Sequence, residues 1–351
     1  MCIAHVSQLP ETGSYLAIDL LDEPLLAVKT KDGNYNVLSR VCPHRAADIL
    51  HPASERPSSG VVRRFVCPYH AWSFDLDGKL ATCSQMQQAE GFVRGDWGLA
   101  QVRAELWQGF IFVNLDGQAS PLAGQYADFA KAIAPWHADE MEVAIELEWE
   151  CEFDWKVMVE NWIESYHHMG THQATLQRTM PASMTWTEAE HPHFIHAHLP
   201  FRESGVEQIR AALEEGTPQP GFTPVADLTL EQQSEWGVFL GYPGFMFLTM
   251  RDRLLWYRLL PLAAGRCKVQ TMTLVTPAAR TADDFVVVLE RETAMLTEFH
   301  REDMRVNTAV QRGLQSAHAV RGRLSHLEMP VWLLQRYLAS RFAAEIQSDI
   351  Q

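Results

Sequence analysis

Along the first part of the chain apolar and polar positions alternate in short runs broken by turn residues. LLAVKTKDGNYNVLS (25–39) sets Asp32-Gly33 between β-rich flanks, and FDLDGKLAT (74–82) repeats the device with Asp77-Gly78. Dipeptides of this kind favour the backbone conformations that a tight hairpin turn needs, so both stretches predict hairpins. WQGFIFVNLDG (107–117) predicts a buried strand closing this β-rich part. PLAGQYADFAKAIAPWH then predicts a short helix with Pro121 and Pro135 near its ends, and the domain boundary is placed beside it. On this reading residues 1–118 form one domain and residues 119–351 a second.

The second part mixes periods. GFMFLTM, RLLWYRLLP and CKVQTMTLVTP read as strands, and the stretch from Glu203 to Pro224, rich in Gly, Pro and Glu, reads as a surface loop. From about Asp283 the period changes to that of an amphipathic helix, with Phe285, Leu289, Leu296 and Phe299 on one stripe. Asp303, Val306 and Val310 continue the same face if the helix continues. A buried aspartate is costly unless it is paired or binds a metal. The competing expectation is a helix ending near Phe299, which leaves Asp303 in water.

Composition narrows the class. The 351 residues are 47% hydrophobic and 21% charged, as in ordinary globular proteins, and the formal net charge of −15 disfavours a nucleic-acid partner. MCIAHVSQLPETGS has neither the basic start nor the apolar run of a signal peptide, and no apolar stretch is long enough for a bilayer. A cytoplasmic protein without membrane association is expected. Six scattered cysteines are then reduced thiols or metal ligands rather than a disulfide scaffold.

Two groups of residues carry candidate metal chemistry. Cys42-x-His44 and, after twenty-two intervening residues, Cys67-x-x-His70 each pair one cysteine with one histidine. Zinc fits the spacing, but zinc fingers usually pair like with like, whereas a Rieske [2Fe–2S] centre takes two cysteines on one iron and two histidines on the other. The remaining cysteines, Cys2, Cys83, Cys151 and Cys267, read as packing residues. VENWIESYHHMGTH (159–172) supplies the second group. On a helix Glu164 and His167 share a face, and a break at Gly170 returns His172 to the side of His167. Two histidines and the distant Asp303 make the 2-His-1-carboxylate set of non-haem Fe(II) oxygenases. A structural histidine is the bland reading of each one taken singly. HPHFIHAHLP (191–200) holds four more histidines; a second metal is one reading, but a strand places alternate residues together without any metal, and one face is expected instead to line the active-site cavity.

Taken together these residues resemble the catalytic α subunits of the Rieske non-haem iron oxygenases, the aromatic ring-hydroxylating dioxygenase type. The matching positions are Cys42, His44, Cys67 and His70, then N-W-x-E-x-Y-H-x4-H from Asn161 to His172, then Glu302-Asp303 with Gln311-Arg312-Gly313 behind it. The resemblance implies an α+β chain: a β-rich Rieske domain, and a catalytic domain with a large antiparallel sheet covered by helices. It implies that His167, His172 and Asp303 bind a mononuclear Fe(II), with His167 preferred over His168 because it matches the tyrosine-histidine of the motif. Glu164 corresponds to the acid that bridges one subunit's Rieske domain to its neighbour's iron site, and Asn161 to the motif asparagine near the iron. Glutamate at that position is similar to members acting on quaternary ammonium compounds, most others having aspartate. The spacer between the two Cys/His pairs is longer than usual.

The activity implied is that of a terminal oxygenase. It uses O2 and electrons that come from NAD(P)H through a separate reductase, with or without a ferredoxin, to hydroxylate or oxidatively dealkylate a small aromatic or alkylamine substrate. No G-x-G-x-x-G fingerprint for a dinucleotide is present, which places the reductase on another chain. A homotrimer is expected. Arg40, Arg45, Arg63, Arg64 and Lys79 lie near the cluster motifs and are expected to steer an acidic donor. Two other classes compete: a pure Rieske electron-transfer protein, and a zinc-stabilised small-molecule binding protein. The first leaves the second ligand set unexplained, and iron and sulfide analysis separates the second.

Overall fold

Turn chemistry decides how the N-terminal half begins. In the computed structural model, which describes residues 1–51 and 56–348, strands Glu23–Lys29 and Tyr35–Ser39 pair antiparallel around the Asp32-Gly33 turn. Ser73–Phe74 and Leu80–Thr82 flank the second turn, where Gly78 has φ +82°. A side chain there would press on the Leu38 side chain at 3.0 Å and the Leu99 carbonyl oxygen at 3.1 Å, so glycine also lets the hairpin lie close to its neighbours. Trp107 ends one strand, Gln101–Trp107, and Phe110–Asn114 is the next, where a single strand was expected. Gln108 and Gly109 both have positive φ, which turns the chain back on itself between them.

The chain falls into two compact units, Met1–Gln125 and Tyr126–Gln351. In the first, a seven-stranded antiparallel sheet runs in the order Cys2–His5, Phe110–Asn114, Gln101–Trp107, Tyr35–Ser39, Glu23–Lys29, Ser14–Leu20, Ser59–Val61. A three-stranded sheet of Phe65–Val66, Ser73–Phe74 and Leu80–Thr82 accompanies it. One core of Leu26, Val28, Leu38, Phe65, Trp72 and Phe74 encloses Cys42 and Cys67. Residues 52–55 of the long spacer lie outside the described residues.

The second unit is built on another seven-stranded antiparallel sheet: Glu142–Cys151, Arg266–Val275, Leu254–Ala263, Phe245–Thr249, Glu235–Gly241, Phe194–Pro200, Trp186–Thr187. Alternate residues of these strands, among them Leu255, Tyr257, Val269, Leu240 and Ala197, join a core shared with helical residues Val157, Met158, Leu296 and Leu334. The fold class is therefore α+β, with the large sheet covered by helices.

Helix Phe285–Leu314 runs on without a break, so the expectation of an end near Phe299 is set aside. Its buried stripe is Val288, Glu292, Leu296, His300, Asp303 and Asn307, spaced four, four, four, three and four, while Val310 is exposed. Two further expectations change. Glu203–Glu215 is a helix rather than a loop, closed by Gly216 in the left-handed conformation; apart from Gly205 in its first turn, the glycines and prolines that suggested a loop lie beyond its end. The helix of the Asn161 motif, Trp155–Trp162, stops well before Gly170, and a 3-10 turn, Tyr166–Met169, follows.

Candidate metal centres

Two loops of the first unit have the same backbone design. Cys42 N–H donates to the Ala47 carbonyl and Ala46 N–H returns to the Cys42 carbonyl, both at 2.9 Å. Cys67 N–H donates to Trp72 at 2.8 Å and Ala71 N–H to Cys67 at 3.1 Å. Ala46 and Ala71 both sit in the left-handed region, at φ 56° and 58°, which non-glycine residues seldom occupy. Such conformations persist where the surroundings over-determine them. Both thiols are buried; burial raises the Cys42 pKa, and neighbouring Cys67 adds to the rise. The His44 and His70 rings stand 4.6 Å apart, and His44 stacks flat on Trp72 at 4.6 Å. Burial, then His70, holds His44 below its ordinary pKa, and its buried Nδ1 has no hydrogen-bond partner. An unsatisfied buried nitrogen is costly, and a metal at Nδ1 would remove the cost. Two close thiols and two close imidazoles, one with an orphaned nitrogen, fit a Rieske cluster.

The second unit brings His167, His172 and Asp303 together, their donor atoms all within 4.8 Å of one another. Each element contributes for a local reason. Glu164 lies past the end of helix Trp155–Trp162 and accepts the His167 backbone N–H at 3.1 Å and, at 2.7 Å, the ring Nδ1–H. The expected shared helix face is thus replaced by a capping contact. After Gly170 the chain turns and buries His172 completely. His172 Nδ1–H donates to Glu302 at 2.6 Å, which directs Nε2 to Asp303 Oδ1 at 3.0 Å; His167 Nε2 is 3.7 Å from the same oxygen. Two carboxylates on the outer nitrogens therefore aim both inner nitrogens at one point beside Asp303.

The charges agree with that arrangement. Burial works against a charged His172, yet its hydrogen bonds to Asp303 and Glu302 raise its pKa. Burial would push Asp303 up, but the His172 bond and the nearby imidazoles hold it below the usual carboxylate range. A neutral-plus-anionic N2O donor set with room for other ligands fits mononuclear Fe(II).

His168 is turned elsewhere. Its buried Nδ1–H donates to the Met180 carbonyl at 3.2 Å, and burial, then His167, lowers its pKa to about 3. Asn161 Oδ1 accepts from Asn307 Nδ2 at 3.3 Å, tying the motif to the long helix one turn beyond Asp303. Glu302 is the residue whose part sequence reasoning missed; its adjacency to Asp303 was the available signal.

A cavity of about 260 Å³ lies beside this group, lined by Glu164, Trp186, Ala197, Leu199, His326 and Met329 among others. On the strand Phe194–Pro200 it is Ala197 and Leu199 that face it, so His196 and His198, at the alternate positions, do not line it as expected. Of the five cations near the first loops, Arg40 is buried and paired with Asp19 and Asp48, the latter at 3.0 Å, so it is unavailable for steering. Arg45, Arg63, Arg64 and Lys79 are exposed.

Residues 134–344 match the ring hydroxylating alpha subunit (catalytic domain), and residues 1–101 match the Rieske [2Fe-2S] domain. The chain belongs to the ring-hydroxylating alpha subunits. This alpha subunit is 26% identical over 314 residues to the glycine betaine monooxygenase oxygenase subunit of Chromohalobacter salexigens, covering 81% of this chain and 67% of the relative. It is 29% identical over 208 residues to the biphenyl dioxygenase subunit alpha of Metapseudomonas furukawaii, covering 55% and 44%. In places, then, the aligned segment spans less than half the length of the curated relatives. A solved quaternary ammonium Rieske monooxygenase of carnitine oxidation shares the fold, with a TM-score of 0.79 at 21% identity over 97% of this chain and 88% of that one. The alpha subunit's cofactors are those of its two domains, a [2Fe–2S] cluster and a mononuclear iron. Among the described residues no helix is long and apolar enough to cross a membrane.

Proposed function

We propose that this alpha subunit is a terminal oxygenase that hydroxylates or oxidatively dealkylates a small aromatic or alkylamine substrate. Residues 1–118 would act as the Rieske domain and 119–351 as the catalytic domain, in a cytoplasmic homotrimer served by a reductase, with or without a ferredoxin. The observation that carries the reading is the convergence of His167 Nε2, His172 Nε2 and the Asp303 carboxylate in a chain that also holds a Cys2His2 loop pair. An electron-transfer protein would have no use for the second set.

Cys42, Cys67, His44 and His70 would hold the cluster, and His167, His172 and Asp303 the iron. When bound, the cluster supplies electrons singly and the iron supplies open positions for O2 and its reduction. The chain's own residues do the rest. Glu302 and Glu164 accept the Nδ1–H of His172 and His167, which fixes both tautomers and keeps the Nε2 lone pairs on the site. Glu164 would also be the acid that meets the Rieske histidine of a neighbouring subunit, and Asn161 positions the motif through Asn307. Substrate would enter the cavity lined by Glu164, Ala197 and Leu199; an acidic residue beside apolar side chains favours an alkylammonium ion. Glycine betaine as the substrate of one relative supports the amine class, and biphenyl as that of another keeps aromatics in the test.

The test is anaerobic purification followed by single turnover. The protein is expected to hold about three irons and two labile sulfides per chain, the sum of one cluster and one mononuclear iron. The reduced protein is then mixed with O2 and panels of methylated amines and of aromatic acids. Oxygen incorporation or formaldehyde release in one panel identifies the class. Iron that stops at the two cluster atoms, with no product in either panel, would overturn the reading.

A further inference from the structure

Strand Phe194–Pro200 sends its odd residues, Ala197 and Leu199, into the cavity wall. Its even residues, His196 and His198, stand on the opposite face with ring centroids 4.0 Å apart. Glu188 joins them. Its backbone N–H donates to the His196 carbonyl at 2.9 Å, and its side-chain Oε1 lies 2.9 Å from His196 Nδ1 and 3.3 Å from His198 Nε2. All three donor atoms fall within 4.8 Å of one another. None of the three belongs to the iron or cluster sets.

We propose that Glu188, His196 and His198 form a separate site for a divalent transition metal of the Zn(II) class. A tetrahedral zinc with bonds of about 2.0–2.1 Å has donor-to-donor edges of about 3.3 Å, close to the two carboxylate–imidazole edges seen here. Two imidazoles and one carboxylate suit zinc, nickel or copper far better than magnesium or calcium, which take oxygen ligands. The surroundings prepare the donors. His198 Nδ1–H donates to Glu235 Oε1 at 2.9 Å, which leaves the Nε2 lone pair facing Glu188. This is the carboxylate–histidine pairing that orients metal-bound imidazoles. Trp186 stacks on His198 at 3.8 Å and 3°, and Phe239 stacks on His196 at 3.9 Å and 15°, so neither ring is free to swing. Glu188 is exposed, giving an ion a way in. A proton between Glu188 and the imidazoles is the alternative occupant, and it predicts no metal at all. The site is independent of the oxygenase reading, since no residue is shared.

The experiment uses the full chain with its cluster, carrying His172→Ala so that added metal does not enter the iron site. Titration with Co(II) is followed by its visible ligand-field bands, and retained Zn(II) is counted by elemental analysis after dialysis. One metal per chain is expected. Glu235→Gln should weaken it about 10- to 100-fold by releasing the tautomer. His196→Ala with His198→Ala should abolish it, with the cluster absorbance unchanged. Glu188→Gln, an exposed change that spares the fold, should weaken it too and serves if the double variant misfolds. No stoichiometric metal, or binding that ignores both Glu188→Gln and Glu235→Gln, overturns the proposal.

Discussion

Two adjacent histidines differ in where each ring nitrogen points. His167 and His172 have their outer nitrogens held by Glu164 and Glu302, whereas the Nδ1–H of His168 is spent on the Met180 carbonyl. His167→Ala and His172→Ala are therefore expected to lose the mononuclear iron while the cluster spectrum stays. His168→Ala is expected to keep the iron and to lose about 1–3 kcal/mol of stability, because it leaves a buried carbonyl unsatisfied. Iron analysis and urea unfolding of the three variants check both halves. Glu302→Gln retains the size of the side chain but removes the charge that fixes His172, so iron affinity should fall about 10- to 100-fold, measured by competition with a chelator. The candidate ligands could be proposed from sequence because their spacing is a motif, and the structure brings their donor atoms together. Glu302's contact was not: neighbours on a helix point in different directions, and nothing in a Glu-Asp pair says which one faces inward and which meets a histidine.

The long helix shows the same limit one level up. Its apolar residues predicted the element, but four of its six buried positions are polar: Glu292, His300, Asp303 and Asn307. Each is buried against a named partner from another element. Arg253 meets Glu292 at 2.9 Å, Tyr257 meets His300 at 2.8 Å, His172 meets Asp303, and Asn161 meets Asn307. Hydrophobicity alone could not assign this stripe, because the partners come from distant sequence. Glu292→Ala would leave Arg253, itself buried, with Asp252 as its remaining carboxylate. Stripping one partner from a buried ion pair typically costs about 3 kcal/mol or more, so the urea midpoint should fall markedly while iron content is unchanged. The helix Glu203–Glu215 erred in the other direction: its own residues are helical, and the breakers after Glu215 coloured the whole stretch.

At the scale of the chain, β-rich and α/β-mixed halves were legible from the change of period, since turn dipeptides and helical stripes are local signals. The pairing of Cys2–His5 with Phe110–Asn114 was not, because it joins the ends of the first unit. Exposure also corrected the picture of the donor-facing charges: Arg40 is internal, and Arg45, Arg63, Arg64 and Lys79 remain. Arg63→Glu with Arg64→Glu is expected to slow reduction by an acidic donor, most at low ionic strength, with little effect on reduction by dithionite. Equal losses with both reductants would remove the steering role.

The allotment of donors between the compact units has a bearing on how the protein matures. All four cluster candidates lie before Gln125 and all three iron candidates after Tyr126, so each set is complete within its own unit. Neither cofactor has to wait for the other. A cell short of sulfide should accumulate chains that hold iron yet cannot be reduced, and a cell short of ferrous iron should accumulate coloured, reducible chains that turn nothing over. Supplying the missing component to either isolated form in vitro should restore activity without unfolding, and the two forms should reach the same final rate by opposite routes.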